Sequence, residues 1–151
     1  MVEKLIDQIG GETVLRAIVE RFYDIVEGTE TGAQIVKLHN RGHGMSHARI
    51  EQFNFLSGFM GGRNYYLEKY GHMDVKVMHE HVPITQQDAE NWLSCMDQAL
   101  AELQLSGAHM ERLRRVFRRV ALVLINSSAE RGENLSGKAG ARHTRQTKEL
   151  N

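Results

Sequence analysis

The 151-residue chain has one cysteine, one proline, one tryptophan and no excess charge of either sign. Each scarcity removes a class of protein. A lone Cys95 excludes an internal disulfide, and with it the cysteine-stapled secreted scaffolds, so a reducing cytoplasm is the expected compartment. Lysine plus arginine equals aspartate plus glutamate at 19 each, which leaves no broad basic field for general nucleic-acid binding. No apolar run is long enough to cross a bilayer, so stable membrane insertion is not expected. The opening MVEKLIDQIGG lacks the blocks of a signal peptide. Pro83 is the one proline that interrupts the chain.

The residues present follow a helical period. Hydrophobic residues at 41% and charged ones at 25% are the balance of a water-soluble globule, and the length suits a single core. Val14, Ile18 and Phe22 recur four apart beside a stripe of Leu15, Val19 and Val26, a helix that Gly28 stops. Gly10-Gly11 separates it from a short N-terminal helix. A brief helix is predicted from Ala33 to Leu38, then a loop from His39 to Met45. Ser46 is the predicted N-cap of a helix reaching Met60, with Phe53, Leu56 and Met60 on one face, and Gly61-Gly62 ends it. Residues 63–82 read as irregular apart from a turn around Val75 to His79. Thr85 and Asp88 form a capping-box pair opening a helix with Ala89, Trp92, Leu93, Met96, Leu100 and Leu103 in its stripe. A last helix carries Met110, Leu113, Phe117, Val120, Ala121 and Leu124. The fold class is all-α, with a folded domain over residues 1–127. Residues 128–151 hold only two large aliphatics, Leu135 and Leu150, and are predicted to be a flexible polar tail.

Eight histidines direct the search for chemistry. Long irregular stretches in compact domains are often functional, and the one before Pro83 holds His72, His79 and His81. Val75, Val77 and Met78 precede His79, while Val82 and Ile84 follow it. His79 is therefore the imidazole best placed to enter an apolar cleft, and His81 should face elsewhere. Trp92 sits on the apolar stripe of its helix with an indole N–H that needs a partner when buried. Gln52 lies a turn from both Ala48 and Leu56 and should face inward. Tyr23 brings a hydroxyl beside Phe22. His39, His43 and His47 are spaced by four, but Gly42, Gly44 and the Ser46 cap break the helix that would make them one metal-binding face. Arg112, Arg114, Arg115, Arg118 and Arg119 form a basic polar face on the last helix, solvated by default, with an acidic partner or membrane surface as the alternative. Cys95 reads as a small buried residue.

Several runs carry a family likeness: Ile9-Gly10-Gly11, Arg21-Phe22-Tyr23, Phe55-Leu56-Ser57-Gly58 with Gly61-Gly62, Tyr66, Tyr70-Gly71-His72, and Trp92-Leu93-Ser94-Cys95-Met96. Over nearly all of the folded domain the sequence resembles the group II truncated haemoglobins. The resemblance implies a two-over-two helical sandwich around haem b, held without covalent attachment because no C-x-x-C-H motif exists. It implies His79 as the iron ligand, Tyr23 and Trp92 at ligand-stabilising positions, and His39 at the pocket edge. Gln52 would add a hydrogen bond, and the small Ala48 would mark a gate for ligand entry. Tyr66 and Lys76 correspond to residues near the haem propionates, and Phe53 to a haem contact. The function implied is reversible binding of dioxygen, nitric oxide or carbon monoxide, serving oxygen binding and transport or detoxification of nitric oxide and peroxide. Catalysis is left open by the sequence. It would need a reductase, since the chain shows no flavin or nicotinamide motif. A monomer or a homodimer fits equally.

The chain departs from the family around its axial histidine. Where the family has Arg-His-x-Pro-Phe-x-Ile, this sequence reads Met78-His79-Glu80-His81-Val82-Pro83-Ile84. Arg63 also stands where Gly-Gly-Pro is common. These changes keep a second reading in play, a haem-free sensor or interaction module using its pocket or basic face. The joint presence of Tyr23, Trp92 and His79 argues against it.

Overall fold

The structure, a computed structural model, describes residues 3–40 and 43–127, and the tail expected over 128–151 lies outside them. Among the described residues there are eight helices and no strand.

The short α1 (Leu5–Ile9) and the long α2 (Gly11–Gly28) meet at Gly10. Its φ of +118° suits glycine, and a Cβ there would come within 2.5 Å of Val14 Cγ2. The junction is thus closed to larger residues on two counts. α2 buries Leu15, Ile18, Val19, Phe22 and Val26 of the predicted stripes together with Tyr23 and Ile25, while Val14 is half-buried. α3 (Ala33–Asn40) runs past Leu38 and takes in His39, the first residue of the predicted loop. The His39 Nδ1 lies 2.8 Å from the Ile35 carbonyl one turn earlier.

α4 (Met45–Phe59) begins one residue before the predicted cap. Gly44, at φ +85°, turns the chain into it and its carbonyl accepts from Ala48 N, which leaves Ser46 within the first turn and capping nothing. Residues 63–82 are more regular than their pattern suggests. α5 (Tyr65–Tyr70) and α6 (Val75–His79) occupy much of the stretch. Each is too short to show a period, and both are set by local contacts. Tyr66 packs on Tyr70 at 4.5 Å, and Asp74 accepts from the backbone N–H groups of Lys76 and Val77. α7 (Gln86–Glu102) opens on the predicted box, with Asp88 N donating to Thr85 Oγ1 at 3.1 Å and Thr85 N to Asp88 Oδ2 at 2.9 Å. α8 (Ala108–Val123) completes the set.

α2 packs on α4 and α7, and α7 on α8, so the pairs α2/α4 and α7/α8 form two layers. α3 leans on α2, α4 and α7. Leu15, Ile18, Phe22, Met96, Leu100, Leu113 and Phe117 fill the shared core. α5 and α6 lie outside those layers, and the space they bound is where the functional residues gather.

Candidate functional site

His79 closes α6, and its position is determined by the backbone around it. Its Nδ1 lies 2.7 Å from the Val75 carbonyl one turn earlier. A carbonyl only accepts, so Nδ1 carries the proton and Nε2 of the neutral ring keeps an unshared lone pair. Burial is the main cause that holds the imidazole below the usual histidine range, with His39 and His81 adding to it and the Val75 bond opposing. The ring is therefore a neutral base near pH 7.

The loop after His79 is tied to the far end of the chain. Asn126 accepts from Ile84 N at 2.7 Å and donates to the Val82 carbonyl at 2.9 Å. The backbone N–H groups of Asn126 and Ser127 both donate to the Ile84 carbonyl. Composition and periodicity do not single out Asn126, because its role depends on a contact 42 residues away in sequence.

His79 lines a cavity of about 580 Å³ whose walls are largely apolar, among them Leu38, Phe55, Met78, Val120 and Leu124. This volume falls within the range for small-molecule and cofactor sites. Tyr23, Gln52, His39, Trp92, Ala48 and Tyr66 line the same space. Tyr23 is 1% exposed, and desolvation raises its hydroxyl pKa far above the usual tyrosine range despite the opposing charge of Arg49. It therefore stays a donor, and it donates to Gln52 Oε1 across a long 3.4 Å. A contact this long is weak and readily exchanged. The Trp92 ring is held between Phe22 at 5.0 Å and Phe117 at 5.5 Å, and its indole N–H bonds no described residue.

Two residues lie elsewhere. Phe53 is in the core, beneath the Arg16 guanidinium at 3.9 Å and against Tyr65, and is not part of the cavity wall. Phe53 faces α2 through Arg16, whereas Leu56 of the same stripe lines the cavity. Lys76 is exposed and lines a separate groove beside His79. The structure adds His43, His47, Glu51 and Tyr70 to the cavity wall, and His81, expected to face elsewhere, lines it beside His79. The His43 and His47 rings meet at 4.7 Å with their planes tilted by 47°, and among the described residues no cluster of three or more histidine, cysteine, aspartate or glutamate side chains could hold a metal ion. Glu51 binds Lys69 through Oε1 at 2.7 Å, while its buried Oε2 has no hydrogen-bond partner.

Two helical layers enclosing a largely apolar cavity, with the His79 imidazole and several hydrogen-bond donors on its walls, define a globin. The chain belongs to the bacterial-like globin family, whose model matches residues 4–126. A group 2 truncated haemoglobin of Bacillus subtilis is 31% identical over 103 residues, covering 68% of this chain and 74% of that protein. The group II truncated haemoglobin of Bacillus anthracis has a similar structure, with a TM-score of 0.77 and 28% identity over 88% of this chain and 98% of that one. A truncated haemoglobin from Bacillus subtilis described as oxygen-avid gives a TM-score of 0.73 and 28% identity, over 82% and 100% of the two chains. The resemblance to the group II truncated haemoglobins, first carried by short motifs, thus holds over the whole helical domain.

Proposed function

We propose that the cavity holds haem b, with His79 Nε2 as the ligand to iron, and that the protein binds diatomic gases reversibly. The observation that carries this reading is the His79–Val75 bond. It spends the Nδ1 proton on the backbone and leaves a neutral Nε2 on a residue of the cavity wall. The residues fit the group in other ways. The cavity has the size and apolar walls of a cofactor site, and no pair of cysteines exists to attach haem covalently.

Bound there, ferrous haem supplies a coordination position for dioxygen, nitric oxide or carbon monoxide. The chain supplies everything around it. Tyr23 turns its hydroxyl from the weak Gln52 contact to a ligand in the cavity, and the Trp92 indole N–H is free to do the same. Gln52 and His39 add polar groups beside them, and the apolar walls keep bulk water out. Tyr66, half of an aromatic pair with Tyr70, serves a haem propionate through its hydroxyl. Ala48 offers a small side chain past which a gas enters. The oxygen-avid relative from Bacillus subtilis supports the same assignment.

The test is spectroscopic. The purified chain loaded with haemin should show a strong Soret band that sharpens and shifts when reduced under carbon monoxide. His79→Ala should weaken haem retention at least tenfold, and imidazole added to that variant should restore the band. A chain that rejects haemin, or a variant that holds it as tightly as the parent, overturns the assignment.

A further inference from the structure

A groove of about 550 Å³ lies on the surface beside His79. Lys76, Val77, Val82 and Pro83 form one wall, and Val123, Leu124 and Ile125 at the end of α8 form the other. His79, His81, Val82, Pro83 and Leu124 line both this groove and the cavity, so one layer of side chains separates the two. The groove's rim is apolar yet open to water. Val77 is 47% exposed and Val123 48%, and Leu122, next to the groove in sequence, is 41% exposed. Exposed apolar side chains gathered around a concave surface mark a contact site.

The polar face of α8 leads into it. Arg114 pairs with Asp97 and Glu111, and Arg118 pairs with Glu90. Arg112, Arg115 and Arg119 are exposed and form no ion pair with any described residue. Spacings of three and four place them in one row that continues to Leu122 and Val123. At 1.5 Å per residue the row is about 16 Å long. Lys76 adds a fourth cation in the groove, against the single carboxylate of Glu80. In a chain of zero net charge, this is a local concentration of positive charge ending on an apolar rim.

We propose that this face docks an acidic one-electron donor protein of the flavin or iron–sulfur class. The inference rests on the haem reading above. Iron left ferric by oxidation regains its ferrous state by taking one electron, the donor's cofactor loses one, and no other bond changes. The chain has no flavin or nicotinamide motif to supply that electron itself. Guanidinium groups stay charged at any working pH and steer an acidic partner toward the row. The apolar rim then excludes water where the donor's cofactor approaches the wall that carries His79. A concave groove suits a protruding protein surface better than a flat lipid one.

Stopped-flow reduction of the haem-loaded full chain by a reduced, acidic plant-type [2Fe–2S] ferredoxin tests this. The rate should fall about tenfold from low to high salt. The triple variant Arg112→Gln, Arg115→Gln, Arg119→Gln should be about tenfold slower at low salt, with its Soret band and its reduction by dithionite unchanged. The double variant Arg114→Gln, Arg118→Gln should stay near the parent rate. A triple variant as fast as the parent overturns the docking site, as does one slowed equally with dithionite. Binding to anionic phosphatidylserine vesicles that the triple variant loses, with ferredoxin reduction untouched, overturns it in favour of a lipid surface. A normal Soret band beside any of these failures removes the docking site alone, whereas absence of the band removes the haem reading and this inference together.

Discussion

Tyr23 and Cys95 are both buried beside the core, and burial pushes the pKa of each upward, yet the consequences differ. Tyr23 stays protonated with its oxygen on the cavity wall, so its chemistry is donation. Tyr23→Phe removes one hydrogen bond, a net of about 0.5–1.5 kcal/mol. Dioxygen should then leave the reduced protein about two- to tenfold faster in a flash-photolysis or stopped-flow measurement. Cys95 is 1% exposed and lies away from the cavity, so its raised pKa means inertness. Folding favours the thiol over the thiolate. The associated stability is present below the unfolded thiol's value of 9.0 and is lost as pH rises above it. Native protein at pH 8 should resist a thiol-disulfide reagent that labels the urea-unfolded chain at once, and urea midpoints should decline above pH 9. Rapid labelling of the native state would show that Cys95 is reached without unfolding.

At the scale of elements, the short α6 carries the site while having little stability of its own. It has five residues, none of them buried, and an Asp74 cap. Helices of this length do not persist alone in water. What holds it is the stitching by Asn126 of the loop after His79 onto the end of α8. Asn126→Ala leaves Ile84 N and the Val82 carbonyl without these partners. The expected loss is about 1–2 kcal/mol of stability. Haem transfer to an excess of an acceptor globin should also quicken several-fold, since the ligand loop loosens with it. Stability lost with haem transfer unchanged would show that the loop is positioned some other way.

For the whole molecule, a cavity of about 580 Å³ with largely apolar walls is a large feature for a small domain. Filling it should change the domain's stability as much as its colour. Ligand present at a thousand times its dissociation constant adds about 4 kcal/mol. Urea unfolding of the haem-loaded protein should therefore have a clearly higher midpoint than that of the haem-free protein. His79→Ala should show much less of this gain. Equal midpoints with and without haem would mean that the group sits on the surface and not in the core.

Much of this was legible in the residues alone. Periodic stripes on α2, α7 and α8, the Gly10-Gly11 junction and the Thr85–Asp88 box are local signals, since each depends on neighbours within a turn or two. Apolar neighbours on both sides of His79 made it the leading imidazole for the same reason. The turn from Val75 to His79 is legible as α6, whereas α5 is too short to show a period and reads as irregular. Tertiary packing decided the rest. It sent Phe53 into the core and Lys76 into a surface groove, and it brought Asn126 to the loop behind the site. Helical spacing specifies which residues share a face. Which neighbour that face meets depends on how the layers stack, through contacts between residues far apart in the chain.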